Sequence, residues 1–121
     1  MKKVFLILPL GFSFCVSQVY AETKWIFFKD QKCCKYYYQK INDDKKTGIV
    51  KIRVKSNNKD GSGYTITENR INCPQNLREG DIYWDYDAKG KLINKGDHSG
   101  KWFPLGDRTT VYDDLKDKVC K

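Results

Sequence analysis

A cysteine one residue from the C-terminus, in the segment TTVYDDLKDKVCK, constrains this chain more than any other feature. Chain ends fray unless something ties them down. What Cys120 can be tied to depends first on compartment, which the other end of the chain addresses. The chain opens on the basic MKK, followed by the apolar run VFLILPLGFSFCV, which is too short to span a bilayer. VYA then places small residues, Val19 and Ala21, where a signal peptidase reads. This pattern predicts a secretory signal peptide over residues 1–21, cut after Ala21, with an uncleaved anchor as the competing reading. Phe14 stands where a lipoprotein would need a small residue before Cys15, which argues against lipid attachment. The expectation is one exported domain over residues 22–121, placed in the periplasm, at the cell surface or secreted.

Cys15 leaves with the signal, so the mature chain keeps Cys33, Cys34, Cys73 and Cys120. An even number of cysteines in an exported chain points to disulfides. Paired C-x2–4-C spacing is missing and His98 is the single histidine, so zinc is disfavoured and no metal or other cofactor is expected. Four cysteines allow three connectivities, and spacing does not choose among them. A Cys73–Cys120 bridge would close a loop of about 48 residues, worth roughly 4 kcal/mol in the chain-entropy model. That is a large part of the 5–15 kcal/mol typical of a whole domain. Neighbours on a strand point to opposite faces. Cys33 and Cys34 could therefore form a vicinal disulfide, remain thiols, pair between chains as a dimer, or take Cys73 or Cys120 as partner. A redox pair would want C-x-x-C instead.

Between the cysteines the pattern is β-rich. KWIFF, YYYQKI, IVKIRVK, YTITENRINC, DIYWDYD and KLIN read as six strands separated by polar, turn-forming stretches. IVKIRVK alternates cleanly, with Val50, Ile52 and Val54 on one face and Lys51, Arg53 and Lys55 on the other. In DIYWDYD, Ile82, Trp84 and Tyr86 are expected to face the core, and Asp81, Tyr83, Asp85 and Asp87 to face away. DAKG fits a type I turn from Asp87 to Gly90. PQNLREG reads as a break, and Pro104 bars KWFPLGDR from a central strand position. The last segment changes period: Val111, Leu115 and Val119 fall four apart, a helical stripe. Thr110 is its expected N-cap, with Asp113 three residues on as a capping-box partner. The resulting class is α+β: an antiparallel sheet of about six strands with one C-terminal helix packed on it and tied by a disulfide.

The landmarks KYYYQKI, IVKIRVK, RINC, YDAKGKLI and KWFPLGDRTTVYDDLKDKVC occur in an order that resembles the surface-adhesin protein E family of Gram-negative bacteria. The resemblance runs along nearly all of the mature chain. It implies an antiparallel sheet with a C-terminal helix held by a Cys73–Cys120 disulfide, and binding of host matrix or plasma proteins. The pair CC ahead of the tyrosines and Gln39 after them depart from the family pattern.

Charge narrows the partner. Net charge is +8, falling to +6 once Lys2 and Lys3 leave with the signal. Acidic proteins, sulfated glycans and lipid headgroups are the matching partners. Lys51, Arg53, Lys55 and the run Tyr36, Tyr37, Tyr38 are the candidate binding residues. Nucleic acid is disfavoured by export and by the aspartates of DIYWDYD, which would repel phosphate. One histidine, in the polar loop GDHSG, leaves no nucleophile–base pair, and Asp81, Asp85 and Asp87 read as an exposed face rather than paired catalytic acids. The expected class is a non-enzymatic binding protein, with a periplasmic enzyme inhibitor or envelope accessory protein as the alternative. Lys121 adds a separate idea, because a terminal lysine presents the ammonium and carboxylate that plasminogen kringles capture. Deleting Lys121 is expected to abolish plasminogen capture in a surface-plasmon-resonance assay; undiminished capture by the truncated chain removes the idea.

Overall fold

A computed structural model of the chain describes residues 24–106 and 110–121. The expected signal segment, with Cys15, lies outside the described residues. Among the described residues eight strands and one helix follow in order: β1 (Ile26–Asp30), β2 (Cys34–Asp44), β3 (Ile49–Asn58), β4 (Gly63–Asn72), β5 (Leu77–Glu79), β6 (Ile82–Asp87), β7 (Leu92–Asp97), β8 (Trp102–Pro104) and α1 (Val111–Val119). All pairings are antiparallel, in the order β1-β2-β3-β4-β5-β8. The sheet forks at β4. Its C-terminal end pairs with β5, and its N-terminal half pairs with β6, which in turn pairs with β7.

The α+β class is as expected, with two more strands than the six predicted. The additional ones, β5 and β8, have three residues each and pair with one another at the sheet margin. Pro104 is tolerated there because β8 is an edge, where a missing N–H breaks no central ladder.

Helix α1 forms for local reasons. Thr110 has extended φ/ψ of −129° and 162°, as an N-cap requires, and its backbone N–H donates to the Asp113 carboxylate at 3.3 Å. Asp113 also accepts the Gly106 N–H at 2.5 Å, so one buried carboxylate binds both Gly106 and the N-cap Thr110. Asp113 and Asp114 in the first turn and Lys116 and Lys118 in the last complement the helix dipole. Leu115 and Val119 are fully buried against Val50, Ile52, Val54 and Ile71, and this small cluster is the core. Phe28, Tyr36, Tyr38, Leu105 and Tyr112 close around it. Lys29 on β1 reaches Asp114 at 2.8 Å across the rim, half exposed and hence of small energetic weight.

Nine residues are too few for a helix to persist alone in water. Two covalent and local devices hold it. Cys120, its C-cap, is bonded to Cys73 just beyond β4, with 5.6 Å between the Cα atoms. Gly48 supports the same corner. Its φ of 76° suits glycine, its carbonyl accepts the Cys73 N–H at 3.0 Å, and a Cβ there would lie 2.6 Å from the Pro74 ring. Cys33 and Cys34 are bonded to each other at the β1–β2 turn. The two intrachain bonds leave neither of them for Cys73 or Cys120.

Replacing Cys73 and Cys120 together by serine is expected to cost about 4 kcal/mol, read as a lower urea midpoint with similar slope. A change below about 1 kcal/mol would show that packing alone retains the helix.

Candidate functional site

The β3–β4 and β4–β6 registers decide which side chains share a face. Helix α1 covers the side carrying Val50, Ile52, Val54 and Ile71. The opposite side carries Lys51, Arg53 and Lys55 from β3, and Tyr64, Ile66, Glu68 and Arg70 from β4. β6 pairs with β4 as Tyr64↔Tyr86, Ile66↔Trp84 and Glu68↔Ile82. Directly opposed antiparallel residues point the same way. Ile82, Trp84 and Tyr86 therefore join the basic row on the open side rather than facing the core as expected. None of the three is fully buried. Alternation separates the two faces of a strand, but which face the helix covers depends on pairing.

The aspartates are corrected in the same way. Asp81 and Asp85 are half-buried and lie on the helix side, engaged in hydrogen bonds. Asp85 accepts from Thr65 Oγ1 at 2.6 Å. Asp81 accepts from Arg78 at 2.9 Å, from the Tyr112 hydroxyl at 3.4 Å and from Asn69 Nδ2. Burial, with the Asp81 carboxylate adding to it, pushes the Tyr112 hydroxyl up to about 12. Arg78 stacks its guanidinium 4.1 Å from the Tyr112 ring centre. These groups satisfy one another, which suits a structural role at the margin of the core. Asp87 accepts the Lys89 and Lys91 N–H groups within the β6–β7 turn, where Gly90 N–H bonds back to its carbonyl. His98 is exposed and stacks on Tyr83, with 5.6 Å between ring centres. Among the described residues no three His, Cys, Asp or Glu side chains are placed to hold a metal ion.

The tyrosine run is split. Tyr36 and Tyr38 pack on the core side, where they meet Phe28. Tyr37 alone lies on the open face, edge-on to Phe27 with 5.6 Å between ring centres. The expected patch of three tyrosines beside three cations is therefore one tyrosine beside three cations. Lys121 is exposed and lines a separate depression with Asp43, Lys45 and the Cys73–Cys120 bridge.

The open face gains residues that the strand-by-strand pattern did not assign to it. One rung of the sheet runs Phe27, Tyr37, Lys55, Ile66, Trp84, Lys95 across β1, β2, β3, β4, β6 and β7. The next carries Tyr64 and Tyr86, stacked with 4.8 Å between centres and 19° between planes. Trp25, Arg53, Ile66, Trp84 and Tyr86 line a shallow depression of about 220 Å³. The Lys55 ammonium stands 4.6 Å from the centre of the Tyr64 ring and 5.8 Å from that of Trp25. Lys51 and Arg53 share the Glu68 carboxylate at 3.5 and 3.1 Å. Among the described residues no carboxylate pairs with Lys55 or Lys95.

The margin of this face is fastened by Arg70, which grips Glu79 through two bonds of 2.6 and 2.8 Å, while Glu79 also accepts the Gly100 N–H at 2.9 Å. The Arg70 hydrogen bond, helped by that of Gly100, holds the Glu79 carboxyl below its usual range despite burial.

These features define a small disulfide-closed domain of antiparallel sheet and one helix, presenting an aromatic and cationic open face. Comparison with protein-family models, curated proteins and solved structures found no match to this chain.

A glutamate titrates near pH ~4.3 when unfolded. The folded Glu79 pKa is lower, so its stabilisation is complete above that value and is lost as pH falls through the folded pKa. Glu79→Gln is expected to lower Tm at pH 7, with the gap to wild type closing below about pH 4 in circular-dichroism melts.

Proposed function

We propose that this protein is an exported, non-enzymatic binding module that captures an acidic macromolecular partner on the open face of its sheet. The resemblance to the surface-adhesin protein E family points to host matrix or plasma proteins as the partner class. The observation that carries the reading is the rung holding Tyr37, Lys55, Trp84 and Lys95, in which both cations lack carboxylate partners among the described residues. Tryptophan, tyrosine and arginine dominate the energetics of recognition surfaces, and Trp84, Tyr37 and the neighbouring Arg53 supply them here. Unpaired cations on one face also steer an acidic partner and raise its association rate. Asp81 and Asp85 of DIYWDYD are committed to neighbours on the other side of the sheet, which takes those two charges off this face.

Charge reversal at Lys55 and Lys95 together is expected to weaken capture of immobilised matrix proteins by at least about tenfold, mostly through a slower on-rate. The melting temperature should stay within a few degrees of wild type. If the double variant captures matrix protein normally while pull-downs from periplasm recover an envelope enzyme with wild type, the accessory-protein alternative replaces the adhesin reading.

A further inference from the structure

We infer that the ligand of the open face is a sulfated saccharide chain laid across the strands along the Tyr37–Lys55–Ile66–Trp84–Lys95 rung. This rests on the binding-face reading above and names the chemistry of its ligand.

Three observations converge. The first is the shape and lining of the depression. At about 220 Å³ it lies below the roughly 300–1,000 Å³ of a drug-sized pocket, so it receives a single ring rather than a whole small molecule. Trp25, Trp84 and Tyr86 supply flat apolar walls, and Arg53 supplies a cation beside them. A pyranose has an apolar C–H face that stacks on such rings and a polar rim that meets such a cation.

The second is the spacing of the free charges. Lys55 and Lys95 stand on β3 and β7, separated by β4 and β6. At about 4.8 Å per strand their backbones are roughly 14 Å apart, with Ile66 and Trp84 between them. That span suits an oligosaccharide with repeated anionic groups and exceeds a single sugar. Of the carboxylates on this side, Glu68 is paired by Lys51 and Arg53 and Glu79 by Arg70, whereas Asp97, held by Ser99, and Asp44, held by backbone N–H groups, flank the rung with their charge intact and set the register in which an anionic chain can lie.

The third is what a sheet face withholds. Its backbone N–H and C=O groups are consumed by the ladders on either side. An extended acidic peptide gains main-chain hydrogen bonds at a sheet edge, not across a face. A glycan brings no main chain to satisfy and loses nothing by lying flat on side chains.

The test uses the mature protein with heparin-derived oligosaccharides, their desulfated counterparts and polyglutamate of matched charge, in isothermal titration calorimetry. Heparin oligosaccharides should bind at least about tenfold more tightly than either control. Trp84→Ala should weaken heparin binding by about tenfold or more and leave polyglutamate binding unchanged. Lys55→Ala with Lys95→Ala, at solvent-facing positions, should lower the slope of log affinity against log salt by about two. This second readout does not depend on the fold tolerating loss of Trp84. Equal binding of polyglutamate and heparin, or an unaltered salt slope, overturns the inference. So does an absence of heparin binding. If matrix-protein capture remains sensitive to charge reversal at Lys55 and Lys95 in that case, the binding-face reading stands and an acidic protein is the ligand.

Discussion

The Cys73–Cys120 bond is what lets a nine-residue helix count as part of this fold. Unlinked, α1 would contribute Leu115 and Val119 to the core but would have to offset the entropy of ordering a chain end with few contacts. The bond places its C-cap beside the end of β4, while the Asp113 carboxylate fixes its start to Thr110 and Gly106. Held at both ends, the helix presses its stripe onto β3 and β4 and completes a core of six fully buried aliphatic side chains. A core this small leaves the fold dependent on the covalent tie.

Once the helix lies on one side, the character of the other side follows. Each strand of the central ladder must send alternate residues away from the helix. The outward set of β3 is cationic, and that of β6 is aromatic. Pairing of both with β4 brings these sets onto a common surface. The helix side just ahead of β6 is polar and internally bonded through Asp81, Asn69, Arg78 and Tyr112, from the β5–β6 link, β4, β5 and α1. Asp81, half-buried among donors on the helix side, and Trp84, equally half-buried on the open side, reverse the usual placement of such residues, and the hydrogen bonds make that arrangement tolerable.

Charge on the open face is not simply the sum of its lysines and arginines. Lys51 and Arg53 spend most of their field on Glu68, and Arg70 on Glu79. These pairs hold side chains in place more than they add stability, because they are partly exposed. Among the described residues, Lys55 and Lys95 have no carboxylate partner. Lys55 rests on aromatic rings, which fixes its position without neutralising it.

Much of the fold was legible along the chain. IVKIRVK is half-buried with Val50, Ile52 and Val54 inside, the helix begins at its Thr110 cap, and the Asp87–Gly90 turn joins β6 to β7. Strands β5 and β8 were not legible, because three residues are too few to show a period, and β5 is held by β4 and β8 while β8 is held by β5. The candidate site was half legible. Lys51, Arg53, Lys55 and Tyr37 were identified from local pattern. Tyr36 and Tyr38 belong to the core side, and Trp25, Tyr64, Trp84, Tyr86 and Lys95 join the site only through pairing. Sequence alone determined the six longer strands, the helix and the two faces of IVKIRVK and DIYWDYD, since these follow from neighbours a few positions apart. Only the tertiary structure decided which face of β6 meets the helix, because that depends on how β6 is registered against β4 and on where a disulfide 47 positions long returns the chain end.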